Sequence, residues 1–551
     1  MLERFTLETG YRVTTAGPMA RTPDGRLLWC VVGPEFQASS AAAVVRCELY
    51  ASDDEGRTWK FERTILRGAA KEMSGVLATG ISALVTTASK KIILFGAFFG
   101  GYSADHDPAK SRNEGFTMES SDSGRTWSEP RLLPTGERYL SSVLSASLHS
   151  SGRIIFPFGF LTPHHGKFAV SAIYSDDDGE HWRRSGSVLE SEGGGFESGA
   201  CEPSVVELPD GRLWMLMRVQ TGVQWESFSA DRGETWEKAR PSRLLSSNSP
   251  AVLCRLSTGQ VAVAWNNSVR KPYGRRNLTL AVTDDGQRFH GFREVAHAFY
   301  PLVDDGGHQW HATYPYLCEA PDGRVLVAYN YGNWGFCAAK VDRIDLAWLQ
   351  PTSFVEDFRD GRGAWCYGLG GNQLLPAEDD GEGAVMQVAA QKAESLGAVR
   401  NFPLLAQGEM RVEGVALEPE AFLLWHDSFL EPGLVDQACL RARFSRDGDL
   451  FLAAGEPSRT GNQTAGTTTC EYSYLAYPVN HEIRYPARLA AGGRFVLSLL
   501  VDVDARRAEI AVNDGPRLAL PLGDIFGLSY FGVACADGGK MNLRKLSVNH
   551  K

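Results

Sequence analysis

The chain has 551 residues, 43% of them hydrophobic, with 58 glycines, 13 tryptophans and a net charge of −10. That length allows two or more domains with a sizeable core, and the acidic balance argues against nucleic acid or an anionic membrane as a partner. The first ten residues carry no apolar signal core and no apolar run reaches spanning length, so a cytoplasmic protein is expected, with a secreted mature form left open. Ten cysteines are scattered, several inside apolar runs (Cys30, Cys254, Cys318, Cys337), without metal-ligand spacing; they read as buried free thiols.

In chain order, two hairpin types alternate. The first is an apolar run, a turn and a second apolar run. Its turns are Thr22-Pro23-Asp24-Gly25, Ser89-Lys90-Lys91 (without glycine), His149-Ser150-Ser151-Gly152, Pro209-Asp210-Gly211, Ser257-Thr258-Gly259 and Pro321-Asp322-Gly323. The second carries the pattern Ser-x-Asp-x-Gly-x-Thr-Trp. Its copies begin at Ser52, Ser120, Ser175 and Ser229, with a worn fifth starting at Val282 and ending at Phe289. Asp and Ser side chains pre-form such a turn through nearby amides, glycine supplies its unusual backbone angle, and the aromatic folds back onto the unit. The acidic runs lack the downstream glutamate and helices of a calcium loop, so the boxes read as structural staples.

A recurrence of this length marks an array of supersecondary units. Two hairpins per unit give four strands, one propeller blade, and six units give six blades over residues 1–350. The sixth unit has no box, so a strand around Phe5–Glu8 is expected to complete it and close the ring. Asp342–Leu349 reads as a short helix or a last strand. Beyond Phe354 the boxes stop and alternating runs begin, such as 497–503, 508–512 and 530–534. The fold class is therefore all-β: a six-bladed β-propeller, then a C-terminal jelly-roll-like β-sandwich over residues 351–551. Gly455–Thr469 is polar and turn-rich and reads as a long loop.

Chemistry in a propeller belongs at the mouth of the central channel, where each unit starts. Glu202 opens the fourth unit and Arg218 ends its next apolar strand, a costly place for a charge unless it is paired or faces a pocket. Their pairing as a purely structural ion pair is the competing reading. In the sixth unit His308, Trp310, Ala312, Tyr314 and Tyr316 share one strand face by the period of two. Arg275-Arg276 precedes a strand in the fifth unit, and Arg12 stands at the start of the first.

The boxes, with the segment Glu202–Arg218, resemble the sialidases (neuraminidases), six-bladed propellers with BNR repeats, over residues 1–350. The resemblance implies a glycoside hydrolase acting on carbohydrate, with Tyr314 as nucleophile, Glu202 as its base and Arg12, Arg218 and Arg276 as a clamp on the substrate carboxylate. His308, His311 and Tyr316 would line the pocket. No metal or organic cofactor is implied. The chain departs from the family at several points. Val13-Thr14 follows Arg12 where Ile-Pro is usual, Tyr314-Pro315-Tyr316-Leu317 replaces Tyr-Ser-x-Leu, and Asn330 stands where a glutamate is often found. Where the family has an aspartic general acid, Val32–Ala38 offers only Glu35. Three options follow: Glu35, His308 or His311 substitutes; the substrate is a different acidic sugar; or catalysis is lost. Rival readings are a propeller glycosidase or polysaccharide lyase of other specificity, and a non-catalytic glycan-binding propeller. The sandwich would be a carbohydrate-binding module with Trp365 or Trp425 as stacking platforms, a support docked on the propeller, or the seat of a homo-oligomer.

Overall fold

The computed structural model describes residues 2–7, 15–35, 44–69, 77–101, 103, 107–141, 145–164, 166–192, 198–246, 248–268, 275–298, 311–333, 336–357, 365–367, 375–376, 386–389, 396–418, 420–429, 435, 438–464, 471–489, 492–536 and 538–551. The chain is all-β, and among the described residues the only α-helix is the single turn Leu346–Leu349. Every sheet draws its strands from one side of that helix, Leu2–Ile344 or Ser353–His550.

Among the described residues the first part forms six small, mainly antiparallel sheets. In the first, Met19–Arg21, Leu27–Glu35, Val44–Ser52 and Lys60–Ala69 lie side by side in chain order. Sheets two to five repeat this meander, and a short strand, Ser198–Gly199, adds a parallel pair to sheet three. In the sixth, His311–Glu319, Val325–Asn333 and Phe336–Ile344 are completed by Leu2–Leu7, with Phe5 opposite Val341. The first strands touch in the order one to six, and the sixth touches the first. They line a cavity of about 350 Å³ at the ends carrying Arg21, Thr86, Arg255 and Glu319.

The boxes join each sheet to the one before it. Each lies between the third and fourth strands. Ser120 Oγ accepts from Gly124 N (2.8 Å), and Asp122 accepts from Thr126 N (2.8 Å) and Thr126 Oγ1 (2.6 Å). The copies at Ser52, Ser175 and Ser229 repeat the pattern, with His181 standing for threonine in the third. These bonds hold Asp122 down at a pKa of about 2, the Thr126 hydroxyl contributing most. In the worn fifth copy, Thr283 takes the serine's place and bonds Gly286 N at 2.9 Å, so the turn is one residue tighter and its register begins at Thr283 rather than Val282. The box glycine has to be a glycine. At Gly124 the φ is +86°, and a Cβ would lie 2.5 Å from Leu28 of the preceding sheet. Gly179 meets Ile93 of sheet two, Gly286 meets Trp214 of sheet four, and Gly56 meets Leu326 of sheet six.

Beyond the helix stand an eight-stranded and a seven-stranded sheet. Gln407–Glu418 and Arg494–Asp502 alternate buried and exposed residues, the signature of a strand with one face in a core. Phe495, Leu497 and Leu499 of the larger sheet share one cluster with Trp425, Phe531 and Val533 of the smaller. Trp425 is fully buried, 5.7 Å from Phe531, so it is a core residue and not a stacking platform. The side chain of Trp365 lies outside the described residues. The expected loop at 455–469 instead contains the strand Ser458–Thr464, paired with Glu471–Ala476.

Candidate active site

Glu202 and Tyr314 occupy equivalent places in sheets four and six. Each sits near the start of a first strand and precedes a proline. In sheet four, Cys201 pairs with Arg218 but Ser204 pairs with Leu216. In sheet six, Thr313 pairs with Asn330 but Tyr316 pairs with Ala328. Each strand thus carries one extra residue, a β-bulge, where Pro203 and Pro315 are tolerated because the ladder is already broken. Both bulges use a left-handed backbone, φ +45° at Glu202 and +52° at Tyr314. For residues with a side chain that conformation costs of order 1 kcal/mol, and it concentrates at functional positions.

The bulges aim the two side chains at each other. The Tyr314 hydroxyl donates to Glu202 Oε1 at 3.2 Å, and Arg218 Nη1 donates to Glu202 Oε2 at 2.8 Å. The Glu202 amide is held by Ser141 Oγ at 3.2 Å. Arg218 Nε donates to the Asn248 side-chain oxygen, and Arg275 Nη2 donates to the Asn248 carbonyl, both at 2.8 Å. The Arg275 guanidinium lies 5.3 Å from the centre of the Tyr314 ring. Burial and the Glu202 charge raise the pKa of Tyr314, while Arg275 and Arg218 oppose the rise. Glu202 and Arg218 are only 5% and 9% exposed, so their attraction is little screened by solvent.

The arrangement departs from strict alternation. The bulge at Tyr314 breaks the period of two between 312 and 316: Tyr314 reaches Glu202, while Tyr316 is buried in a core cluster and borders the cavity between the first strands. The arginine against Tyr314 is Arg275; Arg276 is half-buried one residue further on. His311 is 1% exposed, and burial with the charges of Arg275 and Arg276 lowers its pKa to about 4. Near neutral pH its imidazole is therefore uncharged, which disfavours it as the general acid. Arg12 and His308 lie outside the described residues. Glu35 ends the strand Leu27–Glu35, and its side chain is likewise outside the description. Asn330, standing where the resemblance would place a glutamate, accepts from Ala16 N at 2.7 Å and so holds the backbone of the first unit.

Sequence reasoning missed Asn248, which ties both arginines together. Its left-handed φ of +55° in the polar run Ser247-Asn248-Ser249-Pro250 is a turn signal, but only the fold shows what the turn holds. Among the described residues no three His, Cys, Asp or Glu side chains are grouped as metal ligands.

The class this structure defines is a repeat array: the BNR repeat-like domain matches residues 76–327. Over 306 residues the chain is 24% identical to a sialidase of Paraclostridium sordellii, covering 51% of this chain and 72% of that protein. It is 26% identical over 235 residues to the anhydrosialidase of Macrobdella decora, covering 39% of this chain and 29% of that enzyme. The Trypanosoma rangeli sialidase in complex with sialic acid is similar at a TM-score of 0.48 and 14% identity, over 100% of this chain and 95% of that one. The chain is thus similar to sialidases at low identity, and the repeat domain that matches it spans residues 76–327.

Proposed function

We propose that the six small sheets are the blades of a six-bladed propeller, that residues 351–551 form a sandwich, and that residues 1–350 are a retaining exo-glycosidase for a terminal acidic, sialic-acid-like sugar. The observation that carries this reading is the 3.2 Å contact between the Tyr314 hydroxyl and Glu202, made from two matched bulges. Glu202 accepts the phenolic proton as the Tyr314 oxygen attacks the anomeric carbon. A neutral phenol can approach a carbon that bears a carboxylate, where an Asp or Glu nucleophile would be repelled. Arg218 and Arg275 stabilise the phenolate character that develops. Arg275, with Arg276 and Arg12, supplies charge-assisted bonds to the substrate carboxylate. Glu35 is the carboxylic acid we assign to the leaving oxygen. Water then hydrolyses the glycosyl–tyrosine bond, with net retention.

Proton NMR of the first-formed sugar tests the stereochemistry. The reading expects the anomer of the substrate; the opposite anomer excludes a covalent Tyr314 intermediate. Arg275→Ala tests the charge of the substrate. A large rise in KM for the acidic glycoside is expected, and an unchanged KM points to a neutral sugar.

A further inference from the structure

Two adjacent asparagines follow the strand Val261–Trp265 and face opposite ways. Asn266, fully buried, uses its whole side-chain amide. Its Nδ2 donates to the Asn277 carbonyl (2.6 Å) and the Ala312 carbonyl (2.8 Å), and its Oδ1 accepts from Thr313 Oγ1 (3.0 Å). Asn277 follows Arg275-Arg276, and Thr313 precedes Tyr314. Asn266 therefore fixes the arginine segment against the tyrosine segment, alongside the bond from Ala312 N to the Arg275 carbonyl at 2.9 Å.

Asn267, 1% exposed, turns to the C-terminal sheets. Its Nδ2 donates to the Asp427 carbonyl at 2.8 Å. Its own carbonyl accepts from Phe429 N at 3.0 Å and from Asn277 Nδ2 at 2.8 Å. Ser268 bridges Phe429 as an added parallel pair, and Asn277 Nδ2 lies 3.3 Å from the Tyr530 hydroxyl. An unbroken set of buried hydrogen bonds thus runs from Asp427–Phe429 through Asn267, Asn277 and Asn266 to Thr313, one residue before Tyr314. Buried networks of this kind hold one arrangement because each unmade bond is costly.

We propose that the C-terminal sheets are a working part of the site: Asn267 and Asn266 are positioning residues through which the Asp427–Phe429 turn sets Tyr314 against Arg275 and Glu202. The inference rests on the reading of Tyr314 as nucleophile for its catalytic meaning, but not for its geometry. A misplacement of about 1 Å at a reacting group costs on the order of a hundredfold in rate.

The test uses the full chain with 3-fluorotyrosine at position 314. Asn267→Asp keeps the volume and removes the donor to Asp427; Asn266→Ala removes the inner link. Arg243→Ala is the control, since it breaks an exposed contact to Asp524 elsewhere between the two parts. Both asparagine variants should move the fluorine resonance and lower kcat on a 4-methylumbelliferyl α-sialoside by tenfold to a hundredfold, on the order set by such misplacement, with KM changed much less. The control should do neither. If Asn266→Ala does not fold, Asn267→Asp decides alone. A resonance and kcat unchanged in Asn267→Asp overturn the proposal. A shifted resonance in a protein whose wild type turns over no acidic sugar supports the positioning and refutes the sialidase reading instead.

Discussion

Arg153 offers the sharpest test of how the sheets are held together. Its side chain is 3% exposed. It donates twice to Asp176 of its own sheet's box, at 2.7 and 2.8 Å. It also donates to Glu234 (3.1 Å) and the Arg232 carbonyl (3.2 Å) in the box of the next sheet, and lies 4.2 Å over the Tyr174 ring. Arg153→Met keeps most of the stem and removes all of these. Asp176 and Glu234 are each about half exposed and regain water, so each ion pair contributes only about 0.5–1 kcal/mol. The cation over the ring adds about 1 kcal/mol and the carbonyl bond about as much again. The expected loss is about 3 kcal/mol. If the six sheets unfold together, at roughly 2.1 cal/mol/K per residue, that lowers Tm by about 4 °C. Scanning calorimetry measures the shift and steady-state kinetics the activity, which should stay at the wild-type level because Arg153 bonds only within the boxes. An unchanged Tm, or a loss of turnover at an unchanged Tm, refutes the staple account.

Two further outcomes follow from the packing and the charges. Gly124→Ala meets both a left-handed φ and Leu28, and should cost about 2–4 kcal/mol; Gly25→Ala, at φ +90° with nothing within 4 Å, should cost only about 1 kcal/mol. Equal losses in urea titration would show that the close approach is irrelevant. His311 titrates at about 4 in the folded chain and near 6.5 unfolded. The unfolded chain therefore binds the extra proton between those values. The His311 contribution is complete above pH 6.5 and is lost as pH falls towards 4, with a ceiling of about 3 kcal/mol. Urea midpoints at pH 4.5 and 7 should differ less for His311→Asn than for wild type; an identical pH dependence would remove His311 as the cause.

The repeats were legible because turn chemistry is local. Ser52, Asp54, Gly56 and Thr58 bond one another within seven residues, and the same atoms recur three times over. The closing strand was legible because a sixth unit one strand short has an unpaired edge. The site was only partly legible. Glu202, Arg218 and Tyr314 could be picked out as polar groups at strand starts and ends. The bulges could not, and one extra residue redirects every later side chain, so strict alternation from 312 to 316 does not apply. Pro203 and Pro315, inside otherwise regular strands, were the available sign. Arg275 and Arg276 are indistinguishable by composition, and only Asn248, 27 residues earlier, selects Arg275. Asn266 and Asn267 were silent because their partners are mostly backbone groups brought in by tertiary structure.

The central claim is that Tyr314 and Glu202 act together on an acidic glycoside. The most direct test is release of 4-methylumbelliferone from its α-sialoside by wild type and by Tyr314→Phe, with thermal melting alongside. The account predicts turnover by wild type, a loss of about 10³-fold or more in the variant, and a melting temperature within a few degrees. Undiminished release by Tyr314→Phe would contradict it.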